Sequence, residues 1–224
     1  TCLGCKGCLS DCPSSVDMAR IKAEVLHRQH ACDGASTRSK LFGYYAAFAR
    51  LAQPAPRLAT WVANRAFVKR LLGVAPRRRV PAYAPRTFAR WFRRHTPHPN
   101  AAGGRRVVLL NDEFTNYAEP RLGRQAVELL EAAGYEVVMP AGLESGRTQI
   151  SKGFLLDARR HMEHALRALA EAAGEHACVV GIEPSAILGF RDEAVDLMRG
   201  DARELAQKDR KSTRLNSSHT VLSR

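Results

Sequence analysis

Four cysteines near the start of the chain constrain its fold more than any other feature. Cys2, Cys5, Cys8 and Cys12 are followed at once by Pro13, so the spacing is Cys-x2-Cys-x2-Cys-x3-Cys-Pro. With this spacing a short loop can hold a [4Fe–4S] cluster through thiolate ligands. Zinc sites usually come as two separated cysteine pairs, and this run does not resemble them. We therefore predict that these four cysteines bind a [4Fe–4S] cluster.

The fourth cysteine of the run suggests a second cluster. In proteins with two such clusters, the fourth cysteine of one run ligates the other cluster. The first three cysteines would then hold one cluster, and Cys12 would belong to its neighbour. The remaining thiols, Cys32 and Cys178, do not form a second run. We therefore expect the partner run to lie upstream, in a longer protein of which this chain is a fragment.

Residues 14–30 are predicted to form a helix that leaves the cysteine loop. Apolar residues recur there at helical spacing, and Ser14 or Ser15 is expected to cap the helix, with Asp17 in its first turn. A helix that follows directly on a cluster loop is typical of helical ferredoxin-like modules. We therefore assign residues 1–33 to half of such a module.

Basic residues are concentrated in the next segment, residues 34–105, which seven prolines divide into short helices and extended links. The formal net charge of the chain is +13, yet residues 34–111 contain no Asp or Glu and sixteen Lys and Arg. Three interpretations are open: the segment wraps an acidic neighbouring domain, lies on an anionic membrane, or binds nucleic acid. We favour the acidic domain and rank nucleic acid last. The aromatic side chains of the segment argue against a solvated linker, and among them are Phe42, Tyr44, Tyr45, Phe48, Trp61, Phe67, Phe88, Trp91 and Phe92.

From residue 106 to residue 207, strands and helices are predicted to alternate. Strands are expected at 107–110, 135–139 and 178–182, a helix begins near Pro120, a long helix capped by Ser151 runs through Ala173, and a last helix covers 191–206. This rhythm predicts a small parallel sheet flanked by helices. The fold class is therefore α/β with an N-terminal helical ferredoxin-like segment. Functional groups are expected beyond the carboxyl ends of the strands, at 111–116, 141–151 and 183–185.

Several short motifs of the chain occur together in one known family. They are Cys5-Lys6-Gly7-Cys8, Cys12-Pro13, Val16-Asp17-Met18-Ala19, Lys22-Ala23-Glu24, Leu71-Leu72-Gly73, Arg90-Trp91-Phe92, Phe114-Thr115-Asn116-Tyr117 and Glu119-Pro120. These motifs resemble the iron–sulfur part of FAD-linked oxidases, the flavoproteins of the D-2-hydroxyacid dehydrogenase and glycolate oxidase type. The chain is also similar to the iron–sulfur subunit of glycolate oxidase and of anaerobic glycerol-3-phosphate dehydrogenase, and the resemblance extends to about Gln207.

This resemblance implies a role in electron transfer. FAD, expected on the missing upstream part, would take a hydride from a 2-hydroxy acid, and the iron–sulfur part would pass electrons to an acceptor such as a quinone. The implied partners are a flavin domain or subunit and that acceptor, in the cytoplasm, with peripheral contact at the cytoplasmic face of a membrane as a further option. Two alternatives are a stand-alone ferredoxin-like subunit that docks a separate flavoprotein, and a basic membrane- or nucleic-acid-binding module with a structural cluster.

The resemblance also implies cysteines in the α/β domain that this chain lacks. The expected Cys-Cys-Gly element corresponds to Glu144-Ser145-Gly146, and Ala186 stands where a cysteine would follow Glu-Pro-Ser. Because a serine hydroxyl is a poor iron or zinc ligand, we expect no metal in residues 106–207 and interpret them as a scaffold or docking module. We find no catalytic centre in the sequence. Residues 208–224 are polar, basic and without periodicity, and we interpret them as a non-native tail, with a disordered native tail as the alternative.

Overall fold

The computed structural model describes Gly4, residues 6–174 and residues 177–198. Cys2, Cys5, residues 199–207 and the predicted tail at 208–224 therefore lie outside the described residues. The described part forms α-helices and β-strands in the order α1 (Gly7–Asp11), α2 (Met18–Asp33), α3 (Thr37–Gly43), α4 (Tyr45–Ala52), α5 (Pro56–Ala63), α6 (Ala66–Leu71), α7 (Phe88–Phe92), β1 (Arg105–Leu110), α8 (Glu113–Tyr117), α9 (Pro120–Ala132), β2 (Tyr135–Val138), α10 (Arg147–Ser151), α11 (Leu155–Ala173), β3 (Cys178–Gly181), α12 (Pro184–Arg191) and α13 (Glu193–Leu197).

The three strands form a parallel sheet in the order β2-β1-β3. β1 is central, with Val107 opposite Val137 of β2 and Val108 opposite Val179 of β3. Helices connect the strands, because parallel neighbours need a crossover rather than a hairpin. The predicted α/β class, with a small parallel sheet flanked by helices, is confirmed. The predicted strands agree with the observed ones to within two residues at each end.

Successive residues of β1 point to opposite faces of the sheet and supply two apolar clusters. Val108 and Leu110 belong to the larger cluster, which contains Met162 and other residues of α11. Leu109 belongs to the smaller cluster, together with Phe88 of α7 and Val127 of α9. Both faces of the sheet are thus covered, and β1 is fully buried from Val107 to Leu110. Covering both faces in this way is typical of a parallel sheet.

Residues before the sheet pack closely on it. The Phe88 ring is fully buried and lies over Gly123 of α9, where a Cβ atom would come within 2.8 Å of the ring. In α3, the carbonyl of Gly43 accepts a hydrogen bond of 2.8 Å from the Thr148 hydroxyl of α10. The short helices before residue 105 therefore share contacts with the α/β unit. The division into residues 34–105 and 106–207 stays a prediction.

Helix α2 begins later than expected, because Asp17 and not Ser14 or Ser15 is its N-cap. The Asp17 carboxylate accepts from the backbone N–H groups of Ala19 and Arg20. Farther along, α2 crosses directly over the turn between α10 and α11. A Cβ atom on Gly153 in this turn would lie 2.6 Å from the Cβ of Leu26, so only glycine fits beneath the helix.

Two other helix predictions were wrong. Ser151 does not cap the long helix. It ends α10, and the chain turns at Gly153 (φ 76°) before α11 starts after Phe154. The predicted helix at 191–206 is also wrong at its start, because Arg191 ends α12 and a separate helix, α13, begins at Glu193. Within the described part of the chain, no helix has both the length and the apolar character needed to cross a bilayer.

Candidate functional site

The cysteine loop closes around one short helical turn. Lys6, immediately before α1, adopts a left-handed backbone conformation with φ 60° and ψ 9°. Cys8 lies in the first turn of α1, and Cys12 directly follows its last residue. The N–H of Cys12 donates a hydrogen bond of 3.0 Å to the carbonyl of Cys8. The two described cysteines of the run therefore lie at opposite ends of a single turn.

Backbone N–H groups converge on the sulfur of Cys12. Hydrogen bonds from the amides of Val16, Ser14 and Ser15 lower the pKa of the Cys12 thiol. Ser15 has a positive φ of 51°, which turns the chain sharply after the cysteine. Amide hydrogen bonds to sulfur are among the means by which proteins tune iron–sulfur clusters. Cys12 is thus in an environment that favours the thiolate form.

The chemistry of the described donors fits thiolate ligation of iron. Cys8 is exposed and Cys12 is half-buried, and both thiols are free of disulfide bonds. Cys2 and Cys5 lie outside the described residues, so the four-cysteine ligand set stays a prediction. In the part of the chain that the structure describes, no three His, Cys, Asp or Glu side chains come together as a metal site. Only two of the four predicted ligands belong to that part.

A group of ion pairs, which we name the loop clamp, joins the cysteine loop to the junction of α12 and α13. The Lys6 ammonium contacts Asp192 and lies 3.0 Å from Oε1 of Glu193. The same Glu193 oxygen accepts from Nη1 of Arg147 at 2.8 Å, while Nη2 of Arg147 donates to the carbonyl of Gly4 at 3.4 Å. The clamp consists of three cations and four carboxylates, namely Lys6, Arg20, Arg147, Asp17, Asp192, Glu193 and Asp196.

Arg20 extends the loop clamp to the first turn of α2. Its Nε lies 3.1 Å from Oδ2 of Asp17, and its terminal nitrogens contact Asp192 and Asp196. Lys6 before α1 and Arg20 in α2 therefore share one carboxylate of the α/β unit, that of Asp192. This arrangement positions the cysteine run relative to the sheet.

Hydrogen bonds in the loop clamp overcome the cost of partial burial. Burial opposes the charge on Lys6, but its hydrogen bonds to Asp192 and Glu193 raise the pKa of its ammonium. Burial likewise opposes the charge on Asp192, but Lys6 and Arg20 lower the pKa of its carboxyl. Lys6 and Asp192 are therefore both charged at neutral pH.

A buried carboxylate, that of Glu113, lies at the carboxyl end of β1. Glu113, the first residue of α8, is 2% exposed. Its Oε2 accepts from the N–H of Ser145 at 3.0 Å, and its Oε1 accepts from the Ser145 hydroxyl at 2.8 Å. Burial raises the pKa of Glu113, although the hydrogen bonds from Ser145 oppose this shift. Residues 111–116 and 141–151, two of the three ranges expected beyond the carboxyl ends of the strands, are thus in contact here.

Glu144, next to this pair, connects three helices. Its Oε1 accepts from Nη2 of Arg50 in α4 at 2.6 Å, and its Oε2 accepts from Nε2 of Gln149 in α10 at 3.4 Å. The Nε2 of His161 in α11 lies 3.7 Å from Oε2. Glu144 and Ser145 occupy the positions where the resemblance implies two cysteines. In this chain those positions hold helices and loops together through oxygen and nitrogen contacts.

The sequence did not indicate the loop clamp. In the sequence, Lys6 is notable only as part of the motif Cys5-Lys6-Gly7-Cys8. Asp192 and Glu193 lie in a stretch whose pattern predicts an ordinary helix. The acidic pair at the α12–α13 junction was a weak signal. The two cysteines that do not belong to the run lie in other elements. Cys32 is exposed near the end of α2, and Cys178 is half-buried at the start of β3.

Curated relatives of the chain are dehydrogenases. It is 26% identical over 203 residues to D-2-hydroxyglutarate dehydrogenase of Escherichia coli (strain K12), which covers 86% of this chain and 20% of the relative. It is 25% identical over 217 residues to the enzyme of the same name from Pantoea ananatis, and the match covers 90% of this chain and 21% of the relative. The C subunit of anaerobic glycerol-3-phosphate dehydrogenase of E. coli (strain K12) is 27% identical over 145 residues, with 64% and 36% covered.

The chain spans about a fifth of the length of the D-2-hydroxyglutarate dehydrogenases it matches. No protein-family profile matches the chain. No solved structure matches it either. The comparisons therefore relate the chain to oxidoreductases at low identity.

Proposed function

We propose that this chain is the iron–sulfur, electron-transfer part of an FAD-dependent 2-hydroxyacid dehydrogenase. One observation carries the proposal: Cys2, Cys5, Cys8 and Cys12 have the spacing of a cluster loop. The dehydrogenase relatives support an oxidoreductase. One relative is named as a subunit, which supports the proposal that this chain works together with another protein component.

In this proposal, Cys2, Cys5 and Cys8 hold one [4Fe–4S] cluster and Cys12 is a ligand of a neighbouring one, and each cluster when bound accepts and donates single electrons. The other residues of the chain provide position and environment. The amides of residues 14–16 stabilise the thiolate of Cys12. The loop clamp attaches the cysteine loop to the α/β unit through Asp192 and Glu193.

FAD is proposed to lie on a flavin domain or subunit outside this chain. By analogy with the relatives, the substrate is a D-2-hydroxy acid such as D-2-hydroxyglutarate, and a quinone is the proposed electron acceptor. The protein would act in the cytoplasm. The basic segment offers a surface for the flavin part, because Leu51, Phe67 and Leu71 are largely exposed there. An anionic membrane at its cytoplasmic face is the second candidate for the same surface, since these apolar side chains stand among arginines and lysines.

Metal analysis tests the proposal. The chain is purified and reconstituted with iron and sulfide without oxygen, alongside Cys8→Ser, Cys12→Ser and Cys32→Ser. We expect the original chain to bind iron and sulfide in nearly equal amounts, Cys8→Ser to lose most of both, and Cys32→Ser to keep them, because Cys32 lies outside the run. Loss in Cys12→Ser would place Cys12 on the same cluster as Cys8, and retention would place it on a neighbouring one. Bound zinc, or disulfides within the run, would refute the proposal.

A further inference from the structure

We propose that Asp192 and Glu193 are positioning residues for the cluster, which hold the cysteine loop on the α/β unit and neutralise the charge of Lys6. This inference rests on the proposed function. It assigns a role to the α12–α13 junction, which lies about 180 residues after the cysteine run along the chain. The α/β unit then sets the surroundings of the cluster as well as forming a scaffold.

Glu193 is connected to the residues on both sides of a predicted ligand. Gly4 and Lys6 flank the predicted ligand Cys5, and both are connected to Glu193. Lys6 reaches Glu193 directly at 3.0 Å, and Gly4 is reached through Arg147, which bonds to Glu193 at 2.8 Å and to the Gly4 carbonyl at 3.4 Å. One carboxylate thus holds the backbone on both sides of a predicted ligand.

The backbone of Lys6 has an unusual conformation. A residue with a side chain rarely adopts a positive φ, and it stays there when its surroundings hold it. Lys6 has a φ of 60°, and its ammonium contacts Asp192 and Glu193. The side chains of Lys6 and Glu193 are only 19% and 9% exposed, so solvent screens their attraction weakly. The loop clamp therefore holds the loop in a conformation that it would not favour alone.

The charges of the loop clamp should also affect the reduction potential of the cluster. Reduction adds a negative charge to an iron–sulfur cluster, so a nearby cation raises the reduction potential and a nearby carboxylate lowers it. Removing the charge of Asp192 or Glu193 leaves the clamp cations uncompensated, and the midpoint potential should become more positive. Removing the charge of Lys6 leaves the carboxylates uncompensated, and the potential should become more negative. A clamp that only loosened the loop would not give shifts of opposite sign.

The experiment compares Asp192→Asn, Glu193→Gln and Lys6→Gln with the original chain. The matched control is Glu136→Gln, which removes one charge from the exposed Arg106–Glu136 pair on β2. Midpoint potentials are measured on the reconstituted chains by redox titration. Hydrogen exchange of amides 6–17 is measured on the metal-free chains. We expect a positive shift of potential for the two carboxylate variants, a negative shift for Lys6→Gln, and no shift for the control.

In the metal-free chains, all three clamp variants should exchange roughly tenfold faster at amides 6–17, and the control should not. Potentials that stay constant, or that shift with the same sign in all three variants, would overturn the electrostatic role. Unchanged exchange would overturn the attachment. If the original chain binds no iron, the proposed function fails, while the exchange measurement still decides whether the loop clamp holds the loop. Should one carboxylate variant fail to fold, the other variant and Lys6→Gln still test the inference.

Discussion

Asp192 and Glu113 are carboxylates of the same α/β unit, yet their surroundings move their pKa values in opposite directions. Asp192 is half-buried and contacts Lys6 and Arg20, which lower its pKa. Glu113 is almost fully buried, and burial raises its pKa although Ser145 donates two hydrogen bonds to it. The type of partner decides the difference: cations stabilise the ionised carboxylate at the loop clamp, whereas Glu113 has neutral donors.

This contrast shows two ways of attaching a loop to a sheet. The cysteine loop is attached by charge, and its attachment should respond to charge substitution and to salt. The loop that carries Ser145 is attached by a buried hydrogen-bonded pair, and its attachment should respond to truncation and to cavity formation. Substitutions can test whether the two regions really differ in this way.

The largest expected effect is that of Glu113→Ala. It leaves the N–H and the hydroxyl of Ser145 without their acceptor and opens a cavity beside β1. We expect the free energy of unfolding to fall by about 3 kcal/mol. Urea unfolding measures it, with Glu136→Ala on the exposed side of β2 as the control, which should change stability by less than about 0.5 kcal/mol. If Glu113→Ala were as mild as the control, the buried pair would not be holding this edge.

An intermediate effect is expected in the pH dependence of stability. The pKa of Glu113 is raised in the folded chain above its ordinary value of 4.5. The contribution of Glu113 to stability is therefore present below pH 4.5, and it is lost as pH rises from 4.5 through the folded-state pKa. Because the pKa of Asp192 is lowered, its contribution is present above 3.8 and is lost as pH falls through the folded-state value.

Urea unfolding at a series of pH values checks these signs. Relative to the original chain, Glu113→Gln should lack the loss of stability at rising pH, and Asp192→Asn should lack the loss at falling pH. The two difference curves should therefore slope in opposite directions. Curves that slope in the same direction would contradict the contrast between the two carboxylates.

The smallest expected effect is that of Arg50→Gln, which breaks the ion pair with Glu144. The Arg50 side chain is 56% exposed, so solvent screens the pair, and we expect a loss of about 0.5–1 kcal/mol. Added salt should reduce the difference in stability between the original chain and the variant, because salt screens a pair that only the original chain has. Arg57→Gln, at an exposed position of α5, is the matched control for the lost charge. A loss of several kcal/mol would instead show that this pair behaves as a buried one.

Local patterns in the sequence predicted much of the sheet. The apolar run at 107–110 predicts a buried strand, because both of its faces are covered, and Pro120 predicts the start of α9, because its missing N–H costs nothing at a first helical position. The meeting of residues 111–116 and 141–151 follows from the parallel order of the strands. These features depend on neighbours in sequence or on general rules of topology.

Features that depend on distant contacts were not predictable. Ser151 has the chemistry of a helix cap, but the turn at Gly153 under α2 decides where α11 begins. Nothing near Lys6 in the sequence indicates that its partners are Asp192 and Glu193. Ion pairs have no periodicity in sequence, so the sequence does not distinguish the partners of Lys6 among the 22 acidic residues of the chain.

The close crossing of α2 over Gly153 fixes the register of that helix. Because even a Cβ atom on Gly153 would lie 2.6 Å from the Cβ of Leu26, this contact resists sliding or rolling of α2 on the turn. The number of residues between Cys12 and Leu26 therefore determines where the cysteine loop lies relative to this contact. Each residue inserted within α2 between Met18 and Leu26 would rotate the cysteines by about 100° around the helix axis and displace them by about 1.5 Å. The length of this stretch should consequently tolerate change far less than its composition.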